Sequence, residues 1–218
     1  ALAQRQPGSS FKPFVYATAF AKGYTPDTVV FDVPTQFSSS CPVDDMETHD
    51  ECYAPQNYDN TFRGPMTLRN ALAQSVNIPA VKVLYLAGVK ESLDTAKRLG
   101  ITTLTRPLGY YGLPLVLGGG EVTLLEMVSA YGVFANDGVR NPPVAILSIK
   151  DANGKELESY EEQPIQALDA EVAKTMNDVL TDNTARAPAF GENSALVIPG
   201  YSVAVKTGTT NDYRDVWI

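Results

Sequence analysis

The chain has 218 residues, 44% of them hydrophobic and 19% charged, and its 17 Lys plus Arg against 25 Asp plus Glu leave a formal net charge of −8. The apolar content excludes wholesale disorder, and 16 Gly and 15 Pro are near average usage, which excludes collagen-like and linker-like chains. Net acidity argues against nucleic acid as the main partner, because phosphate binding needs clustered Lys and Arg, and the longest uncharged run, Pro107 to Gly120, is too short and too rich in glycine to span a bilayer.

Phe11 to Lys22 reads as a helix with Phe11, Val15, Thr18 and Ala19 on one face, Pro13 in its first turn and Gly23 to stop it. Residues 24 to 65, rich in Pro, Ser, Asn and Asp, read as a long excursion with little regular structure. A second helix runs from Leu68 with Thr67 as N-cap, breaks near Asn77, and is followed by a helix carrying Val81, Leu84 and Tyr85 towards Gly88. Glu91 to Leu99 forms another, stopped by Gly100. Thr123-Leu124-Leu125-Glu126 is a capping box opening a helix with Met127, Ala130, Tyr131 and Phe134 inward. Val144 to Ile149 is a strand candidate that Asp151-Ala152-Asn153-Gly154 would turn into a hairpin. Asp169 to Leu180 is amphipathic through Val172, Met176, Val179 and Leu180, and Tyr201 to Lys206 alternates like a strand. The expected fold is α+β and mostly helical.

Three short motifs fall on these elements. Ser9-Ser10-Phe11-Lys12 is S-x-x-K at a helix start, Ser75-Val76-Asn77 is S-x-N at a break between helices, and Lys206-Thr207-Gly208-Thr209 is K-T-G-T at the end of a strand. Residues three apart on a helix share a face, so Lys12 is expected to reach the Ser9 hydroxyl. A serine hydroxyl is a poor nucleophile until a base removes its proton, and Lys12 can be that base if a dry site and the charge of Lys206 lower its pKa. The helix N-terminus at Ser9 favours a developing oxyanion. Gly208 lets a substrate backbone approach the strand edge, Thr207 and Thr209 place hydroxyls for a substrate carboxylate, and Asn77 has an amide to hold a carbonyl or orient Lys12. His49 is the only histidine, which disfavours a Ser-His-Asp triad.

The resemblance goes beyond motifs. Arg5-Gln6-Pro7-Gly8-Ser9-Ser10-Phe11-Lys12-Pro13-Phe14 resembles the active-serine segment of class A penicillin-binding proteins, the bifunctional peptidoglycan synthases. Leu72 to Ala80 is similar to their second motif and Lys206 to Asp215 to their third; Leu117 to Thr123 and Asn57-Tyr58-Asp59 also fit. Nearly all of the chain is covered except the Cys41 to Cys52 loop. The resemblance implies a penicillin-binding protein/serine β-lactamase-like fold, here mainly its helical part with an incomplete antiparallel sheet, residues 1–218 being one partial transpeptidase domain. The early strands and the last two strands and closing helix are missing and a single sheet strand is expected, so the chain reads as an internal piece of a longer protein.

The implied activity is D,D-transpeptidation through an acyl-serine, with β-lactam antibiotics acylating Ser9 as mimics of a D-Ala-D-Ala stem peptide. By position Lys12 is the acylation base, Ser75 relays protons with Lys206 behind it, and Asn77 holds the donor amide. Thr207 and Thr209 hold the carboxylate, and the backbone N–H groups of Ser9 and Thr209 form the oxyanion hole. The partners implied are peptidoglycan stem peptides and β-lactams, and the setting implied is the outer face of a bacterial cytoplasmic membrane, in a membrane-anchored parent with a glycosyltransferase domain. In that setting Cys41 and Cys52 are expected to form a disulfide, the alternative being two free thiols. Asp44, Asp45, Glu47, His49, Asp50 and Glu51 match no metal-ligand spacing, so a solvated acidic loop is expected, with no metal and no cofactor. The alternatives are a serine β-lactamase, which needs a deacylating base such as Glu121 or Glu126, a D,D-carboxypeptidase, and an inactive binding fragment.

Overall fold

The computed structural model describes residues 2–210 and 214–218. Its centre is helix α1, Lys12–Ala21, entered through a 3-10 turn at Gly8–Phe11 that puts Pro13 in the first helical turn. The sequence KPFVYATAFA has no face suited to water, so Lys12 through Phe20 are all buried rather than one stripe of them. Phe14 stacks on Phe134 and meets the edge of Tyr131.

Around this rod lie α2 (Leu68–Ala73), α3 (Asn77–Ala87), α4 (Val89–Leu99), the short α5 (Leu108–Tyr111), α6 (Leu124–Ala135), α7 (Ala170–Thr181) and α8 (Asn183–Phe190). Leu72, Val81, Leu84, Leu99, Met127, Met176 and Val179 join α1 in one core. The ends are set locally. Thr67 Oγ1 accepts from the Asn70 N–H, Thr123 and Glu126 close a capping box, and the Asp169 carboxylate accepts from the N–H groups of Glu171 and Val172. Gly100, at φ 110°, ends α4. The break after α2 falls at Gln74–Val76, so Asn77 opens the next helix instead of ending the previous one.

Among the described residues the strands form five two-stranded antiparallel sheets rather than one sheet strand. Two expectations are corrected here. The 24–65 excursion is bounded by strands, since Val29–Asp32 pairs with Gly64–Thr67 and places Asp32, at 0% exposure, under the loop mouth. Conversely, Tyr201–Lys206 is not a strand, because no neighbouring strand among the described residues pairs with it; its Val205 N–H goes to the Leu180 carbonyl of α7. Strand pairing begins at Gly208–Thr209, opposite Val216–Trp217. The expected hairpin is present as Ser148–Lys150 with Glu156–Ser159, exposed on both faces.

Candidate active site

Ser9 sits on the 3-10 turn, half-buried, with Gly8 and Ser10 buried on either side. Three backbones meet there. Gly8 has φ +56°, and a Cβ on it would stand 2.5 Å from the Thr209 carbonyl oxygen; a Cβ on Gly118 would stand 2.5 Å from the Gly8 Cα; one on Gly208 would stand 2.9 Å from the Ser10 nitrogen. The K-T-G-T segment and the Gly118 loop therefore press on the serine turn at distances only glycine allows. The turn is further held by Ser10 Oγ donating to the Pro7 carbonyl at 2.6 Å and Tyr131 Oη donating to the Ser10 carbonyl at 2.7 Å.

Lys12 opens α1 at 0% exposure. Its Nζ donates to the Ser75 carbonyl at 2.7 Å, Asn77 Oδ1 at 2.9 Å and the Val76 carbonyl at 3.3 Å, and lies 3.4 Å from Ser75 Oγ. The expected hydrogen bond from Lys12 to Ser9 is not formed: the acceptors clustered on the α2–α3 turn take the donors, and the Ser9 hydroxyl has no hydrogen-bond partner among the described residues. Lys206, also buried, donates from Nζ to Ser75 Oγ at 2.7 Å and to the Thr207 carbonyl at 2.8 Å. Ser75 Oγ thus stands between two lysines, on a residue held at φ +60°, the left-handed region that a serine rarely occupies. Burial pushes the Lys12 ammonium well below the usual lysine range, and the charge of Lys206 pushes it the same way; burial alone brings Lys206 to about 7.

Asn77 completes this turn. Its Nδ2 donates to the Gln56 carbonyl at 2.9 Å, leaving Oδ1 facing Lys12. Asn57 Oδ1 accepts from the N–H groups of Asn77 and Ile78 at 3.1 and 3.2 Å, and Asn57 Nδ2 donates to Asp32 Oδ1 at 2.7 Å. Asp32 and Gln56 were not singled out from sequence, and Asn57 only as part of a resembling stretch. The available signal was Val76 at the α3 N-cap, which has no side-chain acceptor and obliges the first N–H groups to find one elsewhere.

On the opposite wall Thr207 is half-buried and Thr209 exposed, and neither hydroxyl has a hydrogen-bond partner among the described residues. The rim is tied by Trp217 Nε1 donating to the Gln6 carbonyl at 3.0 Å. Of the third resembling stretch, Asn211, Asp212 and Tyr213 lie outside the described residues.

Cys41 and Cys52 are joined as a disulfide in the 33–63 loop. Asp45, His49 and Cys52 lie close together, but the Cys52 sulfur is committed to that disulfide, so the donor set does not fit a metal ion. Glu126, a candidate deacylating base, accepts hydrogen bonds from both threonines of Thr102-Thr103 and from Thr123. Burial raises its pKa, but these bonds outweigh that and bring it to about 2, too weak a base for the task.

A half-exposed serine at a helix entry, two buried lysines meeting on a second serine, and a glycine-bearing strand laid against the serine turn come together at one place in the fold. The chain belongs to the family described as penicillin binding protein transpeptidase domain, whose model matches residues 2–215. It is 37% identical over 226 residues to penicillin-binding protein 1A of Neisseria meningitidis serogroup A, covering 99% of this chain and 26% of that protein. The solved penicillin-binding protein 1A of Haemophilus influenzae superposes with a TM-score of 0.72 at 28% identity, over 85% of this chain and 30% of that one. The D,D-transpeptidase domain of a peptidoglycan glycosyltransferase from Eggerthella lenta superposes at 0.78 with 24% identity, over 98% and 56%, which speaks to the fold alone. The chain spans about a quarter of the length of the curated relatives it matches. Among the described residues no helix is long and apolar enough to cross a membrane.

Proposed function

We propose that this domain is a serine-type D,D-transpeptidase that cross-links peptidoglycan stem peptides. The observation that carries the reading is the Lys12–Ser75–Lys206 cluster, in which a fully buried amine three residues from Ser9 shares one hydroxyl with a second buried amine.

Lys12, neutral because it is dry and beside Lys206, accepts the Ser9 proton as Oγ attacks the carbonyl carbon of the penultimate D-Ala. The oxyanion forms between the backbone N–H groups of Ser9 and Thr209, which belong to two segments that pack closely at Gly8. The carbon–nitrogen bond then breaks. The departing amine of the terminal D-Ala takes a proton from Ser75 Oγ, which is resupplied by Lys206 across 2.7 Å. The amino group of a neighbouring stem attacks the acyl-serine, its proton travels the same route inward, and Ser9 Oγ leaves with the proton held by Lys12. The hydroxyls of Thr207 and Thr209, without a hydrogen-bond partner among the described residues, hold the substrate carboxylate, and the Asn77 amide holds the donor peptide. β-Lactams acylate Ser9 by the same first step.

Nothing in the site favours the β-lactamase reading, since the Glu126 carboxylate is occupied by threonines. The extracytoplasmic setting, the membrane anchor and the glycosyltransferase partner domain belong to the proposal on the strength of the relatives. The test supplies the protein in its full natural length with a peptide ending in D-Ala-D-Ala and an amino acceptor. Free D-Ala and cross-linked product are expected in equal amounts, and both vanish in Ser9→Ala. Release of D-Ala with hydrolysed peptide only would overturn the transpeptidase reading in favour of a carboxypeptidase.

A further inference from the structure

We propose that Asn57, from the loop between the strands Val29–Asp32 and Gly64–Thr67, is a positioning residue of this active site, holding Asn77 and through it Lys12 in the acylating geometry. This rests on the reading of Ser9 as nucleophile and Lys12 as base.

The α3 N-terminus has a problem that its own sequence does not solve. Val76 has no side-chain acceptor, and the N–H groups of Asn77 and Ile78 point out of a helix whose start is buried at Val76 and Ile78. Asn57 Oδ1 accepts from both, at 3.1 and 3.2 Å, so the cap comes from twenty residues upstream. Its other end is also used. Nδ2 donates to Asp32 Oδ1 at 2.7 Å and to the Thr61 carbonyl at 2.8 Å. A carboxamide has two donor hydrogens and two acceptor lone pairs, and all four are occupied.

The adjacent peptide fixes the side chain of the same residue. Gln56 presents its carbonyl to Asn77 Nδ2 at 2.9 Å, which turns Oδ1 towards Lys12 Nζ, also at 2.9 Å. Residues 56 and 57 thereby set both the backbone and the amide orientation of Asn77. Every carbonyl that Lys12 touches, those of Ser75 and Val76 and the amide oxygen of Asn77, belongs to this one turn. The charged group facing Lys12 from the other wall is Lys206, through Ser75 Oγ. The turn also holds Ser75 at φ +60°, a conformation that persists only when its surroundings over-determine it. The foundation is Asp32, 0% exposed, whose second oxygen accepts from the Arg63 N–H at 3.0 Å.

A purely architectural cap and a positioning residue differ in what they change. Loss of a cap lowers the fraction of folded molecules. Loss of positioning slows the chemistry of molecules that are folded, by about tenfold to a hundredfold for a shift of the order of an ångström.

The test uses the protein in its full natural length and a fluorescent penicillin at saturating concentration, reading the rate and the final amplitude of Ser9 labelling separately. Asn57→Ala is expected to reach full amplitude about tenfold to a hundredfold more slowly. Asn57→Ser, uncharged beside Asp32 and with a hydroxyl that can both donate and accept, is expected to fall between it and the wild type, and carries the test should Asn57→Ala not fold. In an Asn77→Ala background the Asn57→Ala effect is expected to shrink, because the two act through one contact. Unchanged rates in both Asn57 variants, or lost amplitude with an unchanged rate, overturn the proposal while leaving Ser9 and Lys12 in their roles. A wild type that forms no adduct on Ser9 overturns those roles and the proposal together.

Discussion

The two walls of the cleft are built on opposite principles. The helical wall carries Ser9, Lys12, Ser75 and Asn77 on segments packed into the core, and Lys12 and Asn77 meet only hydrogen-bond partners that the fold itself supplies. The strand wall, residues 201–210, is mostly exposed or half-buried, and the buried side chain it hydrogen-bonds to the helical wall is Lys206. Helices satisfy their own backbones, so a helical wall is rigid from local and core forces. A strand needs a neighbour, and Tyr201–Lys206 has none among the described residues. On the proposed roles, Lys12 and Ser75, which move protons, lie on the helical wall, and Thr207 and Thr209, which hold the substrate carboxylate, lie on the strand wall. Substitutions on the helical wall should abolish acylation, and those on the strand wall should weaken binding, with Lys206 as the exception that belongs to both.

The largest effect is expected from Lys12→Met, which keeps the buried stem and removes the base. Ser9 labelling by a β-lactam should slow by about 10²–10⁴-fold at unchanged affinity, measured as rate against concentration. Next is Lys206→Met, expected to slow acylation by about a hundredfold and to change the pH dependence of stability. With Lys206 at about 7 in the folded chain against 10.5 when exposed, the unfolded state binds more protons across that window, so stability rises with pH from about 7 towards 10.5. Denaturation midpoints at pH 7 and pH 9 should show the rise in the wild type and a smaller one in the variant. Thr209→Val should weaken apparent affinity for β-lactam by about tenfold with the saturated rate nearly intact; a collapse of the saturated rate would break the division between the walls. The smallest effect on chemistry is expected from Cys41→Ser with Cys52→Ser. The open loop should lower the thermal midpoint by several degrees, but Asn57 keeps its bonds to Asp32 and Thr61, so labelling should change least of the four.

Most of the helical wall was legible. Thr67, Thr123 and Asp169 mark helix starts by capping chemistry, Gly100 marks an end, and the 3.6-residue spacing of Met127, Ala130, Tyr131 and Phe134 marks a buried face; all are local signals. What was not legible depended on distant partners. Val29–Asp32 and Gly64–Thr67 pair across a 31-residue loop and include Pro65, which reads as a breaker. Helix α8 contains Pro188 and buries little beyond Ala185 and Arg186. Tyr201–Lys206 has a strand's alternation, but alternation alone cannot supply the strand it would pair with. In the site, the motif spacings named Lys12, Ser75, Asn77 and Lys206, which the fold brings into contact. The direction of Lys12 was not legible, because its acceptors on the α2–α3 turn are set by Asn57 and Asp32, residues with no spacing relation to the motifs.

The central claim is that the chemistry passes through Ser9, and mapping a covalent adduct tests it most directly. The full-length protein is treated with a penicillin, digested, and the modified peptide located by mass spectrometry over time. The account predicts one penicilloyl group per chain, on Ser9, persisting long after free drug is removed and absent from Ser9→Ala. An adduct on another residue, no adduct, or one that forms and hydrolyses in rapid turnover would contradict it.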